Sequence, residues 1–276
     1  AVRLGRTRGT EIPDLSRRRD EIGELSLALR DMTRALWDRM DSIESFAADV
    51  AHEIKNPLTS LRSAVETAAR ITDPDKRDQL MDIVLDDVKR LDRLISDISS
   101  ASRLDAELSR EEPEPVDLGV LLTRMCDAFR APLVRAGIDG AQGDRIRLEL
   151  PEGASVTVAG NQSRLAQVFQ NLLGNALSFS PPGGVVTVRV MSAKGAVMVQ
   201  VDDEGPGIPE NRLEKIFERF YTERPAHETY GQHSGLGLSI VRQIVEAHGG
   251  SVKAENRRDD TDAVCGARFT VVMNTV

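Results

Sequence analysis

From Ile22 the apolar residues fall at Leu25, Leu29, Met32, Leu36, Ile43, Phe46 and Val50, the alternating three-and-four spacing of a coiled-coil seam. Arg39 breaks the stripe once, with Met40 beside it. Beyond Val50 it continues at Ile54, Leu58, Leu61, Val65 and Ala68, displaced by four residues, a stutter that locally unwinds a supercoil. The pattern predicts one helix from about Glu21 to Arg70. Thr72-Asp73-Pro74-Asp75 supplies a turn and a helix start, and a second stripe runs Leu80, Val84, Asp87, Leu91, Leu94, Ile98 and Ala101, with Asp87 as its polar exception. Two such helices leave one flank of each seam wet. Pairing with a second copy into a dimeric four-helix bundle is therefore expected over a monomeric hairpin packed on the next domain.

Glu111-Glu112-Pro113-Glu114-Pro115 is charged and proline-rich, cannot continue a helix, and reads as a linker. After it the pattern predicts helices at Leu118 to Ala136, Gln162 to Phe179, Glu210 to Phe220 and Leu236 to His248. Strands are expected at Ile146 to Leu150, Val156 to Val158, Val185 to Met191, Val197 to Asp202, Ser251 to Ala254 and Arg268 to Met273. Strands and helices mixed without strict alternation predict an α+β arrangement, an α/β sandwich with helices on one face of a mixed sheet. The domain plan is a coiled coil over 1–40, a dimerisation region over 41–110, a linker over 111–116 and a second domain over 117–276. No internal repeat interrupts it.

Composition narrows the partners. Asp plus Glu number 44 against 36 Lys plus Arg, a net charge of −8, which disfavours a phosphate-coating nucleic-acid binder. The basic cluster Arg3, Arg6 and Arg8 reads as a solvated or membrane-facing tail. Cys126 and Cys265 lack CxxC spacing and a nearby His pair, so they read as reduced thiols rather than a metal site or disulfide. No run approaches the ~18 apolar residues of a membrane span, and the start at Ala1 without an initiator Met suits a piece of a longer protein.

Two constellations carry chemistry. Phe46-Ala47-Ala48-Asp49-Val50-Ala51-His52-Glu53-Ile54-Lys55-Asn56-Pro57-Leu58 sets His52 two residues from seam positions on either side, hence facing solvent. A neutral imidazole there can attack phosphorus if its other nitrogen keeps a proton on an acceptor, and Glu53 is the neighbouring acceptor. Pro57 removes the hydrogen bond to the Glu53 carbonyl, and Asn56, one turn past His52, can hold a water. In the second domain Asn171-Leu172-Leu173-Gly174-Asn175 puts two carboxamides on one helical face, where a carbonyl oxygen can complete the shell of a Mg²⁺. Asp203-Glu204-Gly205-Pro206-Gly207 follows an apolar strand and suits an adenine amino group. Ser234-Gly235-Leu236-Gly237-Leu238-Ser239 opens a helix whose free N–H groups suit phosphate. Each element alone has a bland reading: a surface His, a kink, an Asp-Gly turn, a common helix start.

Their order resembles the sensor histidine kinases. The first constellation resembles that family's phospho-acceptor box at every defined position, and the second, with Ile216-Phe217-Glu218-Arg219-Phe220 between its last two elements, resembles its Bergerat-type ATPase domain. The resemblance implies that His52 is the acceptor, Glu53 the assisting base, and Asn56 a residue of partner dephosphorylation. It implies Mg-ATP as substrate, with Asn175 on Mg²⁺, Asn171 supporting it, Asp203 on adenine, and Gly205, Gly207, Leu236 and Leu238 framing the pocket. Gly235 and Gly237 become the phosphate hinge, Tyr221 to Ser234 a lid, and Arg219 or Arg224 a phosphoryl-charge neutraliser. Ser178 stands where the family often has a basic residue.

Ile12-Pro13-Asp14-Leu15 and Asp20-Glu21-Ile22-Gly23 resemble the tail of a HAMP relay module, and Ser178-Phe179-Ser180 resembles ChvG-type sensors. The implied setting is the cytoplasmic portion of a bacterial inner-membrane homodimer, anchored through a missing N-terminal part and passing phosphate to the receiver domain of a response regulator. A gyrase- or MutL-type ATP-driven clamp and a non-catalytic nucleotide-binding scaffold are the alternatives. The clamp requires a glutamate base where this chain has Asn171.

Overall fold

The computed structural model describes residues 15, 18, 20–71, 73–108, 113–135, 145–151, 156–193, 195–221 and 235–275. The chain divides into two units, 1–55 and 56–276.

In the first unit Asp20 starts helix α1, Glu21–Ala68. Its Oδ1 accepts from the Gly23 N–H at 3.1 Å, and the Arg18 guanidinium pairs with its carboxylate at 2.6 Å, holding the Asp20 carboxyl below its usual range. A side chain at position 23 would overlap the Arg18 carbonyl, and the Leu15 N–H donates to Ser26 Oγ at 3.3 Å. These contacts explain Asp20, Gly23 and Leu15 in local terms; Ile12, Pro13 and Asp14 lie outside the described residues. Ile22, Leu25, Leu29, Met32, Leu36 and Ile43, all seam positions, are exposed in this single chain.

In the second unit Asp73 starts helix α2, Pro74–Leu108, with its Oδ1 accepting from the Asp75 N–H at 3.1 Å and Pro74 at the first helical position, where its missing N–H costs nothing. Asp87, the polar residue of the stripe, is 4% exposed, as is Leu94 at 2% on the same face. Among the described residues Asp87 Oδ2 has no hydrogen-bond partner.

Then follow β1 (Glu114–Asp117), α3 (Leu118–Arg135), β2 (Ile146–Glu149), β3 (Thr157–Gly160), α4 (Gln162–Phe179), β4 (Val186–Ala193), β5 (Ala196–Asp202), α5 (Gly237–Ala247), β6 (Ser251–Arg258) and β7 (Val264–Asn274). Strands β2-β4-β5-β7-β6 form one sheet, parallel only at β2–β4, and β1 pairs antiparallel with β3. Alternation places Val188, Val190, Val197, Val199, Val201, Phe269 and Val271 inward, all buried. Arg189, Gln200 and Arg268 face the other way, with Asp202 buried beneath the arginines. Helices α3, α4 and α5 cover the inner face, so the fold is a helical hairpin region followed by an α/β sandwich.

Three sequence expectations need correction. Glu114, Pro115 and Val116, read as the end of a linker, belong to β1, because Val116 is buried opposite Val158. The helix expected at Glu210 to Phe220 is two short 3₁₀ turns, Glu210–Arg212 and Lys215–Phe217. Tertiary anchoring prevails there: Ile216 and Phe217 are buried, Phe217 meets Phe269 edge-on at 6.3 Å, the Arg242 guanidinium lies 4.3 Å from the Phe217 ring centre, and Phe220 takes a φ of 61° that no helix accepts. Finally, β6 and β7 extend well past the expected strands. Their turn is fixed by Asp259, whose Oδ1 accepts from the Thr261 hydroxyl and from the Thr261 and Ala263 N–H groups, lowering the Asp259 carboxyl.

Candidate nucleotide site and phospho-acceptor helix

Helix α4 starts at Asn161, whose Oδ1 accepts from the Arg164 N–H at 3.0 Å, and stops at Ser180, ahead of Pro181. Its inner stripe, Leu165, Val168, Phe169, Leu172, Leu173 and Ala176, is at most 1% exposed. Each of the larger side chains contributes about 1.5–3 kcal/mol by burial. That stripe fixes the rotation of the helix and leaves Asn171 and Asn175 half-buried at its edge. Asn171 Nδ2 donates to the Gly237 carbonyl at 3.2 Å, joining α4 to the first residue of α5. Among the described residues the Asn175 carboxamide makes no hydrogen bond.

At the end of β5 two aspartates have different surroundings. Asp202 receives a two-pronged pair from Arg268, at 2.7 and 2.8 Å, with Arg257 and Arg189 at 3.6 and 3.8 Å. Asp203, 4% exposed, accepts through Oδ1 from the N–H groups of Gly205 at 2.8 Å and Ala267 at 2.9 Å. Burial pushes its carboxyl above the usual carboxylate range, against the pull of those two N–H groups and of Arg257. No described residue bonds to Oδ2. One carboxylate oxygen is thus spent on shaping the turn while the other stays available to a ligand donor.

Close approach governs the glycines. A Cβ at Gly205 would lie 2.9 Å from the Phe179 carbonyl and 3.0 Å from Asp203 Oδ1. Gly266, at φ 151°, lies against the Asp203 carbonyl, where any side chain would overlap it. A Cβ at Gly207 would overlap Val264 and stand 2.8 Å from Asn256 Oδ1. Asn256 Oδ1 accepts from the Ile208 N–H at 2.7 Å and its Nδ2 donates to the Ile208 carbonyl at 2.6 Å, so one side chain completes a strand-like pair with the loop.

Gly235, at φ 73°, packs on the Phe220 backbone, with its Cβ position 2.7 Å from the Phe220 carbonyl carbon. Phe220 and Gly235 therefore meet backbone to backbone. Tyr221 is held there by Arg212 Nη1, which donates to its hydroxyl at 2.8 Å. Leu236 is fully buried, Leu238 half-buried, and Arg219 exposed. Arg224 and residues 222–234 lie outside the described residues. At Gly237 the added Cβ would make an ordinary 3.5 Å contact with Asn171, so sterics alone do not demand glycine there.

On α1, His52 is exposed, Glu53 half-buried, Asn56 exposed and Pro57 buried within the helix. Among the described residues no group of three or more His, Cys, Asp or Glu is arranged to hold a metal ion, and no helix is long and apolar enough to cross a membrane.

Residues 42–107 match the His Kinase A (phospho-acceptor) domain, and residues 160–275 match the histidine kinase-, DNA gyrase B- and HSP90-like ATPase family. The chain is 53% identical over 274 residues to Sensor protein ChvG of Agrobacterium fabrum (strain C58), covering 98% of this chain and 45% of that protein. The chain belongs to the sensor histidine kinases. Within them it is ChvG-like: Sensor protein ChvG of Rhizobium meliloti (strain 1021) is 51% identical over 264 residues, 95% of this chain and 45% of that one. The ChvG-like chain thus spans less than half the length of these relatives. A solved structure of histidine kinase ThkA in complex with response regulator protein TrrA aligns over 93% of this chain and 68% of that one, at 25% identity and a TM-score of 0.66.

Asn256, Arg257, Gly266 and Ala267, which shape the Asp203 pocket of this sensor histidine kinase chain, escaped the sequence reading. A glycine inside the apolar run of β7 was the one available signal.

Proposed function

We propose that the chain is the ATP:protein-histidine phosphotransferase portion of a homodimeric, membrane-anchored sensor, phosphorylating His52 and passing the phosphoryl group to an aspartate of a response regulator. The observation that carries this reading is an exposed His52 in a complete phospho-acceptor box on the same chain as a buried Asp203 with a free oxygen. Domain limits follow the same reading: a HAMP remnant and coiled coil over 1–40, the dimerisation and phosphotransfer region over 41–110, a connection over 111–113, and the ATP-binding domain from β1 onward, 114–276. The parent's inner-membrane setting rests on its likeness to ChvG sensors.

The site residues fit Mg-ATP as substrate. Asp203 Oδ2 accepts the adenine amino group, and the turn at Gly205 and Gly207 admits the base. Asn175, whose carboxamide no described residue engages, offers its oxygen to Mg²⁺, while Asn171 holds the Gly237 end of α5 in place. Gly235, Leu236, Gly237 and Leu238 present N–H groups at a helix start to the phosphates. Tyr221 anchors the base of the lid, and Arg219 or Arg224 offsets developing negative charge.

In the transfer, a lone pair of the His52 imidazole forms a bond to the γ-phosphorus while the bond from that phosphorus to the β,γ-bridging oxygen breaks, and ADP leaves with the electron pair. Glu53 takes the hydrogen bond from the other ring nitrogen and balances the positive charge that the ring acquires. The phosphorus–nitrogen bond then breaks as a receiver carboxylate attacks, returning His52 to its starting state. In the phosphatase reaction Asn56 orients a water that attacks the phosphorus of the receiver's aspartyl phosphate; the bond to the carboxylate oxygen breaks, releasing inorganic phosphate and restoring the carboxylate. Incubation with γ-labelled Mg-ATP is expected to give acid-labile, base-stable label on the protein and none on a His52→Gln variant. Label that survives in the variant contradicts the assignment.

A further inference from the structure

We infer that His248 is a positioning residue for the nucleotide site: its neutral imidazole bridges the end of α5 to the start of α4 and sets the register at which Asn171 meets Gly237. This deepens the proposed nucleotide reading and rests on it.

The ring's state follows from its partners. Nε2 lies 3.1 Å from the backbone nitrogen of Asn161, a group that only donates, so Nε2 carries the lone pair. Nδ1, 2.7 Å from the Ile244 carbonyl oxygen, must then carry the proton and donate it. Both ring nitrogens are committed to backbone, and a cationic ring would set donor against donor at Asn161. The Asn161 N–H is the helix-start donor that a glutamate or glutamine three residues on commonly takes; here that position is Arg164, which has no acceptor. His248 supplies the missing acceptor from another helix. Space is made for it: a Cβ at Gly160 would stand 2.6 Å from His248 Cδ2 and 3.0 Å from Nε2.

The two helices run antiparallel, with a polar tie at each end of α5, Asn161 to His248 and Asn171 to Gly237. From 161 to 171 α4 rises about 15 Å, and from 237 to 248 α5 rises about 16 Å, so the ties match in span. The two helices otherwise bury apolar side chains, among them Leu165, Val168, Leu172, Ile240, Val241 and Ile244, and apolar burial is non-directional. The directional bond at His248 acts with the one from Asn171 to fix the slide, and with it the distance between the Asn171–Asn175 face and the Gly235–Gly237 turn.

The test combines a spectrum with two substitutions in the full chain. Nitrogen-15 NMR at neutral pH, with the His248 signals assigned by their loss in His248→Gln, should show Nδ1 protonated and Nε2 bare; a proton on Nε2 overturns the bridge. His248→Gln places an acceptor oxygen near the Nε2 position and should bind a non-hydrolysable Mg-ATP analogue as the unaltered chain does. His248→Asn cannot reach Asn161 and should bind about tenfold more weakly. Equal binding by both variants, weakened or not, overturns the inference alone. An unaltered chain that fails to retain the analogue overturns the nucleotide reading and takes this inference with it.

Discussion

At the residue scale Asp203 shows stability set against function. An acid whose carboxyl is pushed up by burial binds its proton more readily folded than unfolded. Its favourable share of stability is therefore present at low pH and lost as pH rises through the folded-state value. Asp203→Asn keeps the acceptor oxygen for Gly205 and Ala267 and removes the charge. In the absence of nucleotide this variant should melt a few degrees above the parent at neutral pH, the gap closing as pH falls below the ordinary carboxylate range, while nucleotide binding is lost. A thermal-shift series over pH checks both signs; a variant less stable than the parent at neutral pH contradicts the account. Gly266→Ala has no such compensation, because its side chain would enter the Asp203 carbonyl. A loss of roughly 2–4 kcal/mol in denaturant unfolding is expected.

At the element scale the site depends on loops tied down by side chains from elsewhere. Asn256 on β6 closes the Asp203–Pro209 turn through Ile208, so Asn256→Ala should lower analogue affinity more than it lowers the melting temperature of the free chain. A parallel titration and melt measure that difference, and an affinity unchanged from the parent counts against the brace. Such ties explain what could be read in the sequence. Helix α4 was legible to the residue because its period, its Asn161 start and the proline after Ser180 all agree. The carboxamides and the Asp-x-Gly-x-Gly turn were legible because their chemistry is contiguous. Residues 210–220 were not. Their composition favours helix, and only the buried seat of Phe217 against Phe269, a partner about fifty residues away, selects 3₁₀ turns instead. Asn256 and His248 were likewise invisible, since each acts on backbone far along the chain.

At the scale of the whole molecule, seam residues on α1 stand in water: Leu25 is 68% exposed and Met32 64%. Burying such a stripe against a second copy removes the exposed apolar surface that a lone chain carries. Light scattering should give twice the 30.3 kDa chain mass, and glutamates at Leu25, Leu29 and Met32 should shift it toward the single-chain value. The central claim, phosphorylation of an exposed imidazole by nucleotide held on Asp203, is tested most directly by phosphorus NMR of the chain with Mg-ATP. The account predicts a phosphoramidate resonance that is absent from His52→Gln and from Asp203→Asn alike. Release of ADP and inorganic phosphate with no such resonance, in a chain that binds nucleotide normally, would contradict it and favour an ATP-driven clamp.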